Sequence, residues 1–159
     1  KGVLSIIREN KEQIVKRSGY EVEIAKILVR DKDKDRGIEI PSEILTTNYD
    51  DILNDDDIKI VVEVMGGIDP AKEYIIRAME AKKQIVTANK MLLATCGDEV
   101  FEKADEMGVS FQYEASVAGG IPIINSLASQ HFPPAFTCLC LSWFSFANIF
   151  QNSLSAVLK

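Results

Sequence analysis

The sequence predicts an α/β fold built on a doubly wound, mostly parallel sheet. Three observations carry this. Apolar, β-branched runs recur and end in small or polar residues: Val61-Val-Glu-Val-Met-Gly-Gly67, Thr87-Ala-Asn-Lys90 and Glu114-Ala-Ser-Val-Ala-Gly-Gly-Ile-Pro-Ile-Ile124. Helical patterns separate them, so the connections are crossovers rather than hairpins. Working residues placed at strand ends are what a nucleotide-binding α/β sheet provides, at the carboxyl ends of its parallel strands.

The elements follow in order. Val3, Leu4, Ile7 and Ile14 lie on one helical face, with Gly19 as its stop. Val22 to Val29 alternates and then turns solidly apolar, as a buried strand does, and the alternating charges of Arg30 to Arg36 follow it. A short strand is expected at Leu45 to Thr47 and a helical turn near Tyr49 to Leu53. Ile58 to Val64, free of Pro and Gly, is the strongest strand. Asp69-Pro70 reads as an N-cap followed by a first-turn proline. Ala71, Tyr74, Ile75, Ala78 and Met79 then make an apolar stripe. Ile85 to Thr87 is a short strand. A helix over Asp98 to Met107 turns Val100, Phe101, Ala104 and Met107 inward and stops at Gly108, and Val109 to Tyr113 is the next strand.

This arrangement is Rossmann-like, but incomplete. Such a fold opens on a strand and a Gly-x-Gly-x-x-Gly turn before its first helix. Here Lys1-Gly2-Val3 reads as already inside that helix, so the first strand and the glycine-rich loop are expected to be missing, with the central place in the sheet left empty. The lack of an initial methionine fits a chain that starts inside a longer one.

Composition narrows the function classes. The chain has 159 residues, 47% apolar and 26% charged, with a net charge of −6. An acidic balance without a basic face argues against nucleic-acid binding. Three cysteines, Cys96, Cys138 and Cys140, are too few and too odd for a disulfide framework and suit a reducing compartment, so a cytoplasmic location is expected. Residues 1–17 carry mixed charges and no secretory pattern. Charge stops abruptly: from Ala115 to Leu158 there is no Asp, Glu, Lys or Arg. The apolar run after Pro134 is interrupted by Ser and Asn, short of the roughly 20 apolar residues of a membrane span.

The candidate site residues sit at strand ends. Gly66 and Gly67 make a turn that needs positive φ or bring bare backbone to a ligand. Lys90 follows a strand on the same edge, where a lysine holds a ribose or phosphate oxygen, polarises a carbonyl, or is simply solvated. Arg30 ends the second strand of the motif, where an arginine accommodates a 2′-phosphate, while the adjacent Asp31 keeps NAD open. The turn from Glu114 to Ile121 either presents carbonyl oxygens to a hard cation or only connects a strand to a helix. His131 is alone in apolar surroundings, and Cys138-x-Cys140 lacks a second ligand pair for zinc.

Read together, Val-Val-Glu-Val-Met-Gly-Gly (61–67), Thr-Ala-Asn-Lys (87–90) and Glu-Ala-Ser-Val-Ala-Gly-Gly-Ile-Pro-Ile (114–123) resemble homoserine dehydrogenase, in its monofunctional form, over about residues 1–127. The resemblance implies a partial NAD(P)-binding domain over 1–127 and NAD(P)H-dependent interconversion of L-aspartate 4-semialdehyde and L-homoserine, on the route to threonine, isoleucine and methionine. It implies Arg30 at the adenosine 2′-phosphate and Gly66, Gly67 and Thr87 along NADP or NAD. Lys90 would stand at the cofactor–substrate junction as the catalytic candidate. Glu114, Val117, Gly119 and Ile121 would ligate a sodium or potassium ion, and the parent enzyme would be a homodimer or larger.

Residues 128–159 do not match the family's catalytic and dimerisation domain, which places a proton donor for the substrate oxygen outside this chain. That tail reads as a reading-frame or splice-type artefact, and the chain alone is expected to be inactive. The rival readings are another Rossmann-type oxidoreductase, or a non-catalytic domain that self-associates through its tail.

Overall fold

The computed structural model describes residues 2–113 and the backbone of 155–158. The chain opens with two short helices, α1 (Gly2–Glu9) and α2 (Lys11–Ser18), where the sequence predicts one continuous face. Val3, Leu4 and Ile14 are buried as that face requires, and Gly19 closes α2 at φ 76°. Strands β1 (Ile24–Leu28) and β2 (Leu45–Thr46) follow, then α3 (Asp50–Leu53) and β3 (Ile60–Glu63). Helix α4 (Ala71–Glu80), β4 (Gln84–Thr87), α5 (Lys90–Met107), β5 (Phe111–Gln112) and β6 (Ser155–Leu158) complete the described elements.

Two boundaries differ from expectation. Pro70, not Asp69, is the residue before the first turn of α4, and Asp69 makes no side-chain cap. The first turn is held instead by backbone, with Ile68 O accepting from Lys72 N and Pro70 O from Tyr74 N. Helix α5 begins at Lys90, well before Asp98, because Asn89 caps it. Its two halves meet at a kink where Cys96 leaves helical geometry (φ −132°).

The described strands form one sheet in the order β2-β1-β6-β3-β4-β5. Pairs β1–β2, β3–β4 and β4–β5 are parallel, as predicted. The central place expected to be empty is filled by β6, antiparallel to both neighbours. Chain order runs outward in opposite directions from that place, so it is the sheet's topological switch point.

Alternation along β3 explains the two layers. Val61 turns to a core shared with Ile75 and Met79 of α4 and Leu92, Val100 and Ala104 of α5. Val62 turns the other way, to Val86 and Ile7 of α1. Successive strand residues point to opposite faces, so a strand apolar at both needs helices on both sides. Each fully buried Ile, Leu or Met contributes about 1.5–3 kcal/mol, and Ile75, Met79, Ile85 and Leu92 are all 0% exposed. Burial thus fixes α4 and α5 on one face and brings the carboxyl ends of β3 and β4 side by side.

Candidate functional site

At that edge the register sets Glu63 opposite Thr87. Glu63 is 2% exposed and ends β3 after three apolar residues, Ile60 to Val62. Its Oε1 accepts the backbone N–H of Met65 at 2.6 Å and of Gly66 at 3.3 Å, and its Oε2 accepts the Thr87 hydroxyl at 2.6 Å. A buried carboxylate is tolerated where donors surround it, and here three do. The Thr87 oxygen in turn accepts the Asn89 N–H at 3.0 Å.

Asn89 closes the circuit. Its Oδ1 accepts the Leu92 N–H at 3.1 Å, capping α5, and its Nδ2 donates to Gly67 O at 2.6 Å. The two loops that leave β3 and β4 are therefore cross-linked through buried polar groups, each with a partner. Gly66 and Gly67 are exposed at φ 73° and 77°, and no atom lies within 4 Å of where a Cβ would stand on either. Both need glycine for their backbone geometry, and both leave open space beside bare peptide groups.

Lys90 is the first residue of α5, exposed, directly after the residue bonded to Gly67. A cation in a first turn opposes the helix dipole by about 0.3–1 kcal/mol, and the first turn of α5 holds no acid to offset it. Local stability therefore does not explain a lysine at this position. Departures from local preference of this kind concentrate at functional sites.

Of the sequence-predicted residues, the structure brings Gly66, Gly67, Thr87 and Lys90 to one edge. Thr87 is 1% exposed, and its hydroxyl is engaged by Glu63 and Asn89 behind the glycine turn. Arg30 lies exposed beyond the end of β1. The loop after it is closed on itself, with Arg36 donating to the carbonyls of Asp31, Lys32 and Lys34. Glu114, Val117, Gly119 and Ile121, and also His131, Cys138 and Cys140, lie outside the described residues. Among the described residues no cluster of three His, Cys, Asp or Glu could hold a metal, and no helix is long and apolar enough to cross a membrane. The sequence reading passed over Glu63 and Asn89. Their signals were a lone acid closing an apolar strand and an Asn ahead of a helical run.

Residues 1–114 match the family model described as "Homoserine dehydrogenase, NAD binding domain". The chain belongs to the homoserine dehydrogenase family. It is 43% identical to the homoserine dehydrogenase of Bacillus subtilis over 126 residues, covering 79% of this chain and 29% of that protein. To the homoserine dehydrogenase of a Synechocystis strain it is 48% identical over 106 residues, 67% of this chain and 24% of that one. The solved homoserine dehydrogenase of Thiobacillus denitrificans superposes with a TM-score of 0.71 at 43% identity, over 79% of this chain and 29% of that one. This chain thus spans under a third of the length of these homoserine dehydrogenases, in the NAD-binding part, and shares their Rossmann-like fold.

Proposed function

We propose that the carboxyl edge of β3 and β4 is the cofactor edge of a homoserine dehydrogenase. The observation that carries the reading is the Glu63–Thr87–Asn89–Gly67 circuit, which presents two bare glycines and Lys90 together at that edge. The open space beside Gly66 and Gly67 fits a dinucleotide lying against peptide groups. NAD(P)H, when bound, supplies a hydride for the aldehyde carbon of L-aspartate 4-semialdehyde, and its oxygen takes a proton to give L-homoserine.

Each residue has a separate task. Gly66 and Gly67 give the ligand close backbone approach, while Thr87 and Glu63 hold that turn from behind. Lys90 contributes a positive charge at the junction of cofactor and substrate, favouring negative charge that develops on the aldehyde oxygen. Arg30, at the far end of the same edge, carries the charge that an adenosine 2′-phosphate needs, which favours NADP over NAD. Glu114, Val117, Gly119 and Ile121 are proposed to bind a monovalent cation, sodium or potassium.

Residues 1–127 are taken as the cofactor-binding part and 128–159 as a tail without the catalytic domain. On this reading the intact enzyme is a cytoplasmic homodimer or larger, and the 159-residue chain has no measurable turnover. An assay with NADPH and L-aspartate 4-semialdehyde tests this. Turnover near that of the Bacillus subtilis protein would show that the chain needs nothing beyond itself.

A further inference from the structure

The polar groups of the turn after β3 are sorted by side. Glu63 Oε1 accepts two successive backbone N–H groups, of Met65 at 2.6 Å and of Gly66 at 3.3 Å. Successive N–H groups converging in a turn are a common cradle for an anion. Here the chain's own carboxylate fills that cradle, and it does so from the interior, where Glu63 is buried. At the other end of the turn Asn89 Nδ2 donates to Gly67 O at 2.6 Å, again from a buried residue.

What faces outward follows from peptide geometry. The cis bond among the described residues is Asp69-Pro70, so the peptides of the turn before it are trans, with C=O and N–H on opposite sides. Because Gly66 N–H turns in to Glu63, Met65 O turns out. Because Gly67 O turns in to Asn89, Ile68 N–H turns out. Among the described residues neither outward group has a backbone partner. Gly66 and Gly67 between them are exposed, with no atom within 4 Å of a Cβ position. The turn therefore offers an incoming group one acceptor and one donor over bare backbone, with a buried carboxylate behind it.

We propose that this turn is a subsite for a neutral group that both donates and accepts, the vicinal hydroxyls of a sugar or a primary carboxamide, and that it refuses a phosphodiester. A hydroxyl pair or an amide bonds Met65 O with a proton and Ile68 N–H with an oxygen. A phosphodiester brings acceptors and a negative charge. Ile68 N–H would suit it, but the Met65 carbonyl and the Glu63 carboxylate oppose it, so selection works by repulsion as well as attraction. That the group is a ribose or the carboxamide of a dinucleotide rests on the proposed function; the sorting of the turn does not.

Nuclear magnetic resonance of the full 159-residue chain tests this through the Gly66, Gly67 and Ile68 amides. Adenosine supplies a sugar diol, nicotinamide a carboxamide, and dimethyl phosphate an acceptor-only anion, each titrated at the same ionic strength. Adenosine or nicotinamide should shift the three amides saturably, and the tighter of the two identifies the group. Dimethyl phosphate should bind there at least about tenfold more weakly. A response to dimethyl phosphate as strong as to the neutral probes would overturn the proposal, and so would no response to either neutral probe. NADPH is the fourth ligand. If it shifts these amides while neither neutral probe does, the cofactor edge stands and the subsite falls. If a neutral probe binds and NADPH leaves the amides unmoved, the subsite stands and the cofactor-edge reading falls.

Discussion

The Glu63 carboxylate accepts the Thr87 hydroxyl at 2.6 Å across the β3–β4 pair while its other oxygen holds the Met65 amide at 2.6 Å. One buried acid thereby sets both the turn after β3 and the approach to α5. Replacing Glu63 with Ala strands those donors in the interior and should cost about 3 kcal/mol or more, combining unmet hydrogen bonds with a cavity. Glu63→Gln keeps the volume but can accept at only one of its two ends, for a loss of about 1–3 kcal/mol. Urea denaturation should rank the two in that order; equal, negligible losses would show that the circuit does not hold the edge together.

Asn89 separates capping from cross-linking. Asn89→Asp preserves the acceptor for Leu92 N–H but loses the donor to Gly67 O. Asn89→Ala loses both. Cap loss costs about 1 kcal/mol, so Ala should be less stable than Asp by about that amount. Amide exchange at Gly66 and Gly67 should speed up in both variants, because both release Gly67 O.

At Gly66 and Gly67 a new Cβ meets nothing within 4 Å, so alanine is opposed by backbone geometry alone. Each Gly→Ala change should cost about 1–2 kcal/mol, the ordinary penalty of a left-handed conformation for a residue with a Cβ. In an intact enzyme carrying this edge, NADPH affinity should fall further than stability does. An affinity that stays unchanged would mean the cofactor does not lie against this turn.

Lys90 gives a prediction of opposite sign for folding and function. Removing a cation from the start of α5 with Lys90→Met should raise stability by a few tenths of a kcal/mol, through the helix dipole. In the intact enzyme, if Lys90 stands at the cofactor–substrate junction as proposed, the same change should lower kcat/KM by at least about tenfold. A variant of normal activity would reduce Lys90 to a solvated surface lysine.

Two buried groups contribute to the alkaline behaviour with opposite signs. Burial pushes the Tyr49 phenol well above its ordinary 10.0, only partly countered by Arg77, while its hydroxyl donates to Tyr74 O at 2.7 Å. Above pH 10 the unfolded chain loses that proton and the folded chain keeps it, so stability falls as pH rises. Burial lowers Lys83 from 10.5, offset in part by Asp55 and Asp56, with its Nζ donating to Asp55 O and Ile58 O. Below 10.5 the unfolded chain holds more protons at that site, so its contribution rises with pH. The fall of denaturation midpoints above pH 10 should therefore be shallower in Tyr49→Phe than in the unaltered chain, and steeper just below 10.5 in Lys83→Met, which loses an offsetting contribution.

Local pattern was enough for the elements whose signals are short-range. The β-branched run of Ile58 to Val64, the stripe from Ala71 to Met79 and the stops at Gly19 and Gly108 depend on neighbours in sequence, and the structure has a strand over Ile60–Glu63, a helix over Ala71–Glu80 and both glycines at positive φ. The parallel order of β3, β4 and β5 is likewise as expected, because a crossover helix leaves little other choice. The pattern from Asp98 to Met107 accounts for the half of α5 beyond the Cys96 kink, while the first half, from Lys90, starts where Asn89 both caps the helix and reaches across to Gly67. Tertiary structure alone paired Glu63 with Thr87, which lie 24 positions apart and meet only through sheet register. It also decided that Ser155–Leu158 takes the central place between β1 and β3. No periodicity announces that, since a four-residue strand is recruited by the unpaired backbone edges it satisfies rather than by its own propensity.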